Sequence, residues 1–147
     1  MRALVQRVTE ARVTVGEEVV GFIGPGLCVL LGVEQGDGDA DAQWMAGKIA
    51  RLRIFKDEQD KMNRSVQDIG GSILLVSQFT LAGDCSRGNR PSFVAAADPE
   101  LGRRLYEQVA GILSTEHQLS VKTGVFGEMM RVQIVNDGPV TLILHSR

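Results

Sequence analysis

Histidine is nearly missing from this chain, which has two in 147 residues, His117 and His145. No Gly-x-Ser-x-Gly elbow occurs, so nothing in the order of residues announces a serine hydrolase triad. His117, in Ser-Thr-Glu-His-Gln, suits the end of a helix, where its charge meets the helix dipole, and His145 is expected to be exposed. Cysteine is equally scarce. Cys28 and Cys85 form no C-x-x-C pair and have no histidine at metal spacing, which excludes a disulfide scaffold and a structural zinc and suits a reducing compartment. Cys28 lies in an apolar run and reads as a small buried hydrophobe, whereas Cys85 reads as an incidental surface thiol. Asp37, Asp39 and Asp41 lack the bidentate Glu of a calcium loop and read as a solvated stretch before a helix. No metal and no cofactor are therefore expected. Aromatic residues make up 5%, too few for a base-stacking platform. With a net charge of −2 there is no broad electrostatic grip on nucleic acid, so any such contact must be local. No run approaches the ~18 apolar residues that span a bilayer. The opening MRALVQRVTEARVTV alternates apolar and polar residues and has no signal-peptide core, so a cytoplasmic, membrane-free location is expected.

What is present reads as one domain over residues 1–147, with 44% hydrophobic and 23% charged residues. Period-two alternation predicts strands over 2–8, 12–15 and 19–23, and Gly24-Pro25-Gly26 is a turn signal. Leu27 to Val33 is unbroken in its apolarity and reads as a strand buried on both faces. Ala42, Met45, Ala46, Ile49 and Leu52 recur at helical spacing, predicting a helix over 40–52 with Asp37, Asp39 and Asp41 as candidate caps. A strand over 53–56, a loop over 57–65 and a buried strand from Ile73 follow. Asp98-Pro99-Glu100 starts a second helix, whose stripe is Leu101, Leu105, Val109, Ile112 and Leu113. Strands close the chain from Leu119. The class is α+β, a mainly antiparallel or barrel-like β structure with two flanking helices.

Two stretches invite a functional reading. Ser77-Gln78-Phe79-Thr80 abruptly ends a buried strand, and the segment AGDCSRGNRPSF after it is long and polar. Such a strand end can be an ordinary terminus or a site whose backbone amides are free for an oxyanion. Asn136-Asp137-Gly138-Pro139 interrupts what otherwise reads as strand. Its plain reading is a hairpin turn, with proline restarting the strand at a sheet edge.

Together, VSQFTL at 76–81 and NDGPVT at 136–141 resemble the D-aminoacyl-tRNA deacylase family. LVQRVTEARVTV, GFIGPGLCVLLGV, KMNRSV, GGSILLVSQFTL, RGNRPSF and TGVFGEMMRVQIVNDGPVT stand in that family's order from end to end. The resemblance implies an editing hydrolase of translation quality control, acting on the ester between a D-amino acid and the terminal adenosine of tRNA. It implies a homodimer in which a cis Gly138-Pro139 peptide enters the partner's active site and excludes L-residues by collision. It implies that Ser77, Gln78, Phe79 and Thr80 form the catalytic wall, with the substrate's own ribose 2′-hydroxyl assisting. Arg7 would hold the glycine-proline loop, with Asn136 and Met130 in support. Glycine, lacking a side chain, would escape exclusion, so glycyl-tRNA, including glycine mischarged on tRNA(Ala), is an expected substrate. Arg87, Arg90 and Lys122 could meet tRNA phosphates, and at least one of Met129 and Met130 is expected to fill core. Two other classes stay open at this point. A small-molecule serine or threonine esterase would need a histidine beside Ser77 or Thr80, and a non-catalytic RNA-binding module would hold the acceptor end without turnover.

Overall fold

The computed structural model describes residues 1–147. The opening alternation is one uninterrupted strand, β1 (Arg2–Val15), instead of two. Register irregularities between Gln6 and Glu10 let it bury Ala3 and Val5 in one apolar cluster and Val8, Ala11 and Val13 in another. It pairs antiparallel with β2 (Glu18–Ile23), β3 (Gly26–Gly32) and the closing strand. The expected antiparallel character resides in these pairs.

The remaining pairs are parallel. β3 runs alongside the strand Ser72–Ser77, which in turn runs alongside Ser120–Thr123. Parallel neighbours require a crossover. The helix α1 (Asp39–Arg51) and the short strands β4 (Phe55–Lys56) and β5 (Met62–Arg64) lie in the first crossover, before β6 (Ser72–Ser77). The second carries α2 (Pro99–Thr115) and leads to β7 (Ser120–Thr123). Both helices cover the face bearing Leu27, Val29, Ile73 and Leu75, while Cys28, Leu74 and Val76 point to the other core. That two-sided burial explains the unbroken apolarity of β3 and β6. Burial also pushes the Cys28 thiol up to about 12, so it behaves as a hydrophobe. The sheet order is β2-β1-β3-β6-β7, and it curls until Gly21 of β2 meets β7. A Cβ on Gly21 would lie 2.7 Å from the Thr123 carbonyl oxygen. The result is a nearly closed, mixed barrel-like sheet with two helices outside. No helix is long and apolar enough to cross a membrane.

Three local expectations change. Residues 57–65 are not all loop: β5 pairs with β4 because the Asp57 carboxylate gathers the amides of Gln59 and Lys61 and the Asn63 side chain into a tight turn. The N-cap of α1 is Gly38, whose amide donates to the Asp41 carboxylate at 2.9 Å, and Asp37 is buried instead of solvated. The amino group of Met1 donates to Asp37 at 2.7 Å and to Glu34 at 3.1 Å, and Arg147 also pairs with Asp37. His145 accordingly is not idle at the surface, since its Nε2 lies 2.8 Å from Glu34. Burial pushes the Glu34 carboxyl up, but the surrounding donors and cations outweigh it and hold the group below its ordinary value. A hydrogen bond from Ser146 does the same for Asp41. Buried carboxylates persist only with such partners.

The third change concerns Pro139. No hairpin forms there. One strand, β8 (Arg131–His145), runs through the whole segment and pairs with β1 on both sides of the interruption. Asn136 faces Val8 and Thr141 faces Gln6, so residues 137–140 stand opposite the single residue Arg7. They form a bulge that bows out of the ladder. The proline is tolerated because β8 pairs only with β1 and is a sheet edge.

Candidate active site

The first half of the site grows from the end of β6. The Gln78 amide still donates to the Leu31 carbonyl at 2.8 Å, after which the chain winds into a 3-10 turn, Phe79–Ala82. The first amides of such a turn, those of Phe79 and Thr80, have no partner within it. The Thr80 hydroxyl accepts a hydrogen bond from the Gln78 side-chain amide.

Beside this turn opens a cleft of about 560 Å³. Ser77, Gln78 and Phe79 line one side, and Pro99, Tyr106, Phe126, Met129 and Met130 line others. Tyr106 is fixed by donating its hydroxyl to the Leu75 carbonyl at 2.7 Å, and burial pushes its phenol up to about 12, so the ring stays neutral. Phe126 lies against it, with centroids 5.8 Å apart, and the Arg103 guanidinium covers Phe126 at 4.9 Å. Asp98, also at the rim, is occupied as the N-cap of α2, accepting from the Leu101 amide at 3.0 Å. The two methionines divide their roles. Met130 packs into the smaller core against Gly124, while Met129 is 90% exposed at the cleft mouth.

The histidines lie elsewhere. His145 is bound to Glu34, and His117 lines a separate groove with Trp44 and Glu116. Neither hydrogen-bonds to Ser77 or Thr80, so no triad assembles. No group of three or more metal-ligating side chains gathers anywhere.

The second half of the site is the β8 bulge. Arg7 is nearly buried and reaches it from β1. Its Nε donates to the Asp137 carbonyl at 3.1 Å, its Nη1 to the Ile54 carbonyl at 2.8 Å, and it pairs with the Asp137 carboxylate at 3.4 Å. From the other flank, Asn136 accepts from the Val140 amide at 3.0 Å and donates to the Thr141 hydroxyl at 2.9 Å. The Gly138-Pro139 peptide bond held between them is cis, and Gly138 has a φ of +129°. Both residues are exposed and neither lines the cleft of its own chain.

Ser77, Gln78, Phe79 and Met130 thus line one cleft, with Thr80 next to them in the turn but outside its lining, while Arg7, Asn136, Gly138 and Pro139 form a second, separate group. Sequence reasoning missed Tyr106, Phe126 and the Ile54 carbonyl. Tyr106 follows the stripe residue Leu105 and shows its inward hydroxyl only once α2 is docked on β6.

The family model described as D-Tyr-tRNA(Tyr) deacylase matches residues 4–145. A D-aminoacyl-tRNA deacylase of Heliobacterium modesticaldum is 60% identical over 147 residues, covering 100% of this chain and 97% of that protein. That of Pelobacter propionicus is 57% identical, covering 98% and 99% respectively. Among solved structures, one described as a c-Myc DNA Unwinding Element Binding Protein superposes with a TM-score of 0.94 at 44% identity, covering 100% of this chain and 99% of its own. A probable eukaryotic D-amino acid tRNA deacylase shares the fold, with a TM-score of 0.78 at 17% identity over 97% of each chain. With its whole length matched and both signature segments in place, the chain belongs to the D-aminoacyl-tRNA deacylase family.

Proposed function

We propose that this deacylase, a hydrolase of aminoacyl-tRNA, releases D-amino acids from the 3′-terminal adenosine of tRNA at sites shared between two copies of the chain. One observation carries the reading: the Gly138–Pro139 bulge is clamped by Arg7 yet lies outside the cleft of its own chain. A bulge so fixed and so exposed is suited to enter a partner's cleft. The apolar surface around it supports the same reading. On the same strand Val135 is 49% exposed and Ile143 76%, and β8 is an open edge. Residues 1–147 act as one domain within that homodimer, in the cytoplasm, as a quality-control step of translation.

In the complete site the backbone of Gly138 and Pro139 faces the substrate's Cα. A wall made of main chain accommodates the substituent of one enantiomer and collides with the other, whatever the side chain is. Selectivity is then a difference of affinities created by repulsion. Glycine meets no such wall, so glycyl-tRNA, including glycine mischarged on tRNA(Ala), is a substrate as well.

Ser77 and Gln78 position the ester and its adenosine, and the free amides of Phe79 and Thr80 receive the oxyanion. One such donor is worth about 3–4 kcal/mol. Water adds to the ester carbonyl, the acyl–oxygen bond to the ribose breaks, and the departing ribose oxygen takes the proton. Thr80 has no base beside it to make it a nucleophile. The neighbouring ribose 2′-hydroxyl therefore assists the water, and the protein supplies placement. Thr80→Ala is expected to keep turnover within about threefold in single-turnover assays, whereas loss of about a hundredfold or more would restore covalent catalysis through Thr80.

A further inference from the structure

The polar segment between the 3-10 turn and α2 is built as an arm, and its two ends sit in the cleft wall. It leaves beside Phe79 and returns at Ala97, both of which line the cleft. At the outgoing end the Gly83 amide donates to the Thr80 carbonyl at 2.9 Å. Phe93 packs edge-on against Phe79, with centroids 5.2 Å apart. Gly83 permits this, because a Cβ there would lie 2.9 Å from both Phe93 and the Thr80 carbonyl oxygen. At the returning end the Ala97 amide donates to the Val33 carbonyl, and Gln35 donates to Ala95 from its backbone and to Val94 from its side chain. Between these anchors Asp84 and Ser92 exchange two backbone hydrogen bonds of 2.8 and 2.9 Å.

The closed loop so formed carries Arg87 and Arg90, both exposed. Neither takes part in any ion pair of the protein. The one acid of the loop, Asp84, is engaged locally, accepting from the Ser86 amide at 2.9 Å. Two free guanidiniums on a tethered arm at a cleft rim are suited to an anion that extends beyond the cleft. Guanidinium is the side chain that best matches phosphate, through its fork of donors.

We propose that residues 84–92 form a phosphate-gripping arm for the backbone of the tRNA acceptor end, holding nucleotides that lie outside the cleft. The inference rests on the deacylase reading above, and it assigns affinity for whole tRNA to a region that does no chemistry. The arm explains how a chain with net charge −2 engages a polyanion by local contact.

The test compares two substrates, D-tyrosyl-tRNA and the D-tyrosyl ester of adenosine alone, with wild type, an Arg87→Ala/Arg90→Ala double variant and its Arg→Lys counterpart. For the alanine variant kcat/KM on D-tyrosyl-tRNA is expected to fall about tenfold at low salt, through KM. The slope of log kcat/KM against log salt should flatten by about one for each phosphate no longer neutralised. The adenosine ester should be cleaved at the wild-type rate, and lysine should restore most of the activity on tRNA. An equal loss on both substrates would overturn the proposal by making the arm part of the cleft, and no change on either would also overturn it. Wild-type failure to cleave either substrate would instead sink the deacylase reading itself, and the arm's role with it.

Discussion

Arg7→Ala is expected to lower D-aminoacyl-tRNA turnover by at least about a hundredfold and to destabilise the fold by about 2–4 kcal/mol. The side chain is buried and charged, with its charge spent on the Asp137 carbonyl and carboxylate and on the Ile54 carbonyl. Charge-assisted bonds of this kind are worth about 1.5–3 kcal/mol each, and removing the donor leaves the buried Ile54 carbonyl without its guanidinium partner. The catalytic loss has a separate origin. Residues 137–140 oppose only Arg7 in the ladder, so nothing else in β1 can hold their height above the sheet. A loosened wall can move by an ångström, which is enough to cost about a hundredfold in rate when positioning is the catalytic device. Arg7→Lys should recover part of the stability and little of the activity, since one ammonium cannot reach both carbonyls in the fork geometry. Chemical denaturation and single-turnover assays on the three proteins separate the two effects. Full activity in a stably folded Arg7→Ala protein would show that the bulge needs no clamp.

Gly138→Ala should lower the melting temperature by a few degrees, through about 1–3 kcal/mol of backbone strain, and abolish most activity, by about a hundredfold or more. At a φ of +129° a side chain is strained, and a Cβ there would lie 2.9 Å from both Arg7 Nη2 and Val140 Cγ2. Arg7 cannot retreat, because its other nitrogens are already bonded. The backbone of the bulge must shift instead, and with it the carbonyls proposed to face the substrate. Because the residue is exposed at a sheet edge, little packing is lost. Mixing this variant with a Gln78→Ala/Phe79→Ala protein tests where the bulge acts. Heterodimers should regain activity at one of their two sites if the bulge works across the interface. No recovery, with heterodimers shown to form, would contradict action of the bulge across the interface.

Much of this is legible in the order of residues alone. Helix α2 announces itself through Asp98, Pro99 and a regular apolar stripe, all local features. The Ser77–Thr80 stretch is visible as the point where a buried strand turns polar. What stays hidden depends on partners distant in sequence. The parallel pairing of β3 with β6 follows from a crossover, and an apolar run does not reveal its direction. Asp37 reads as solvated until the amino group of Met1 arrives beside it. The Gly138–Pro139 bulge reads as a turn because Asp-Gly is a strong local turn signal. Pairing of both flanks with one long strand overrides it.

Chiral exclusion by the Gly138–Pro139 backbone is tested most directly by single-turnover release of amino acid from matched tRNAs charged with D-tyrosine, L-tyrosine or glycine. D-tyrosine and glycine should be released rapidly and L-tyrosine should remain bound to its tRNA. Equal release of the D and L forms, or glycine as resistant as L-tyrosine, would contradict a wall that selects by collision.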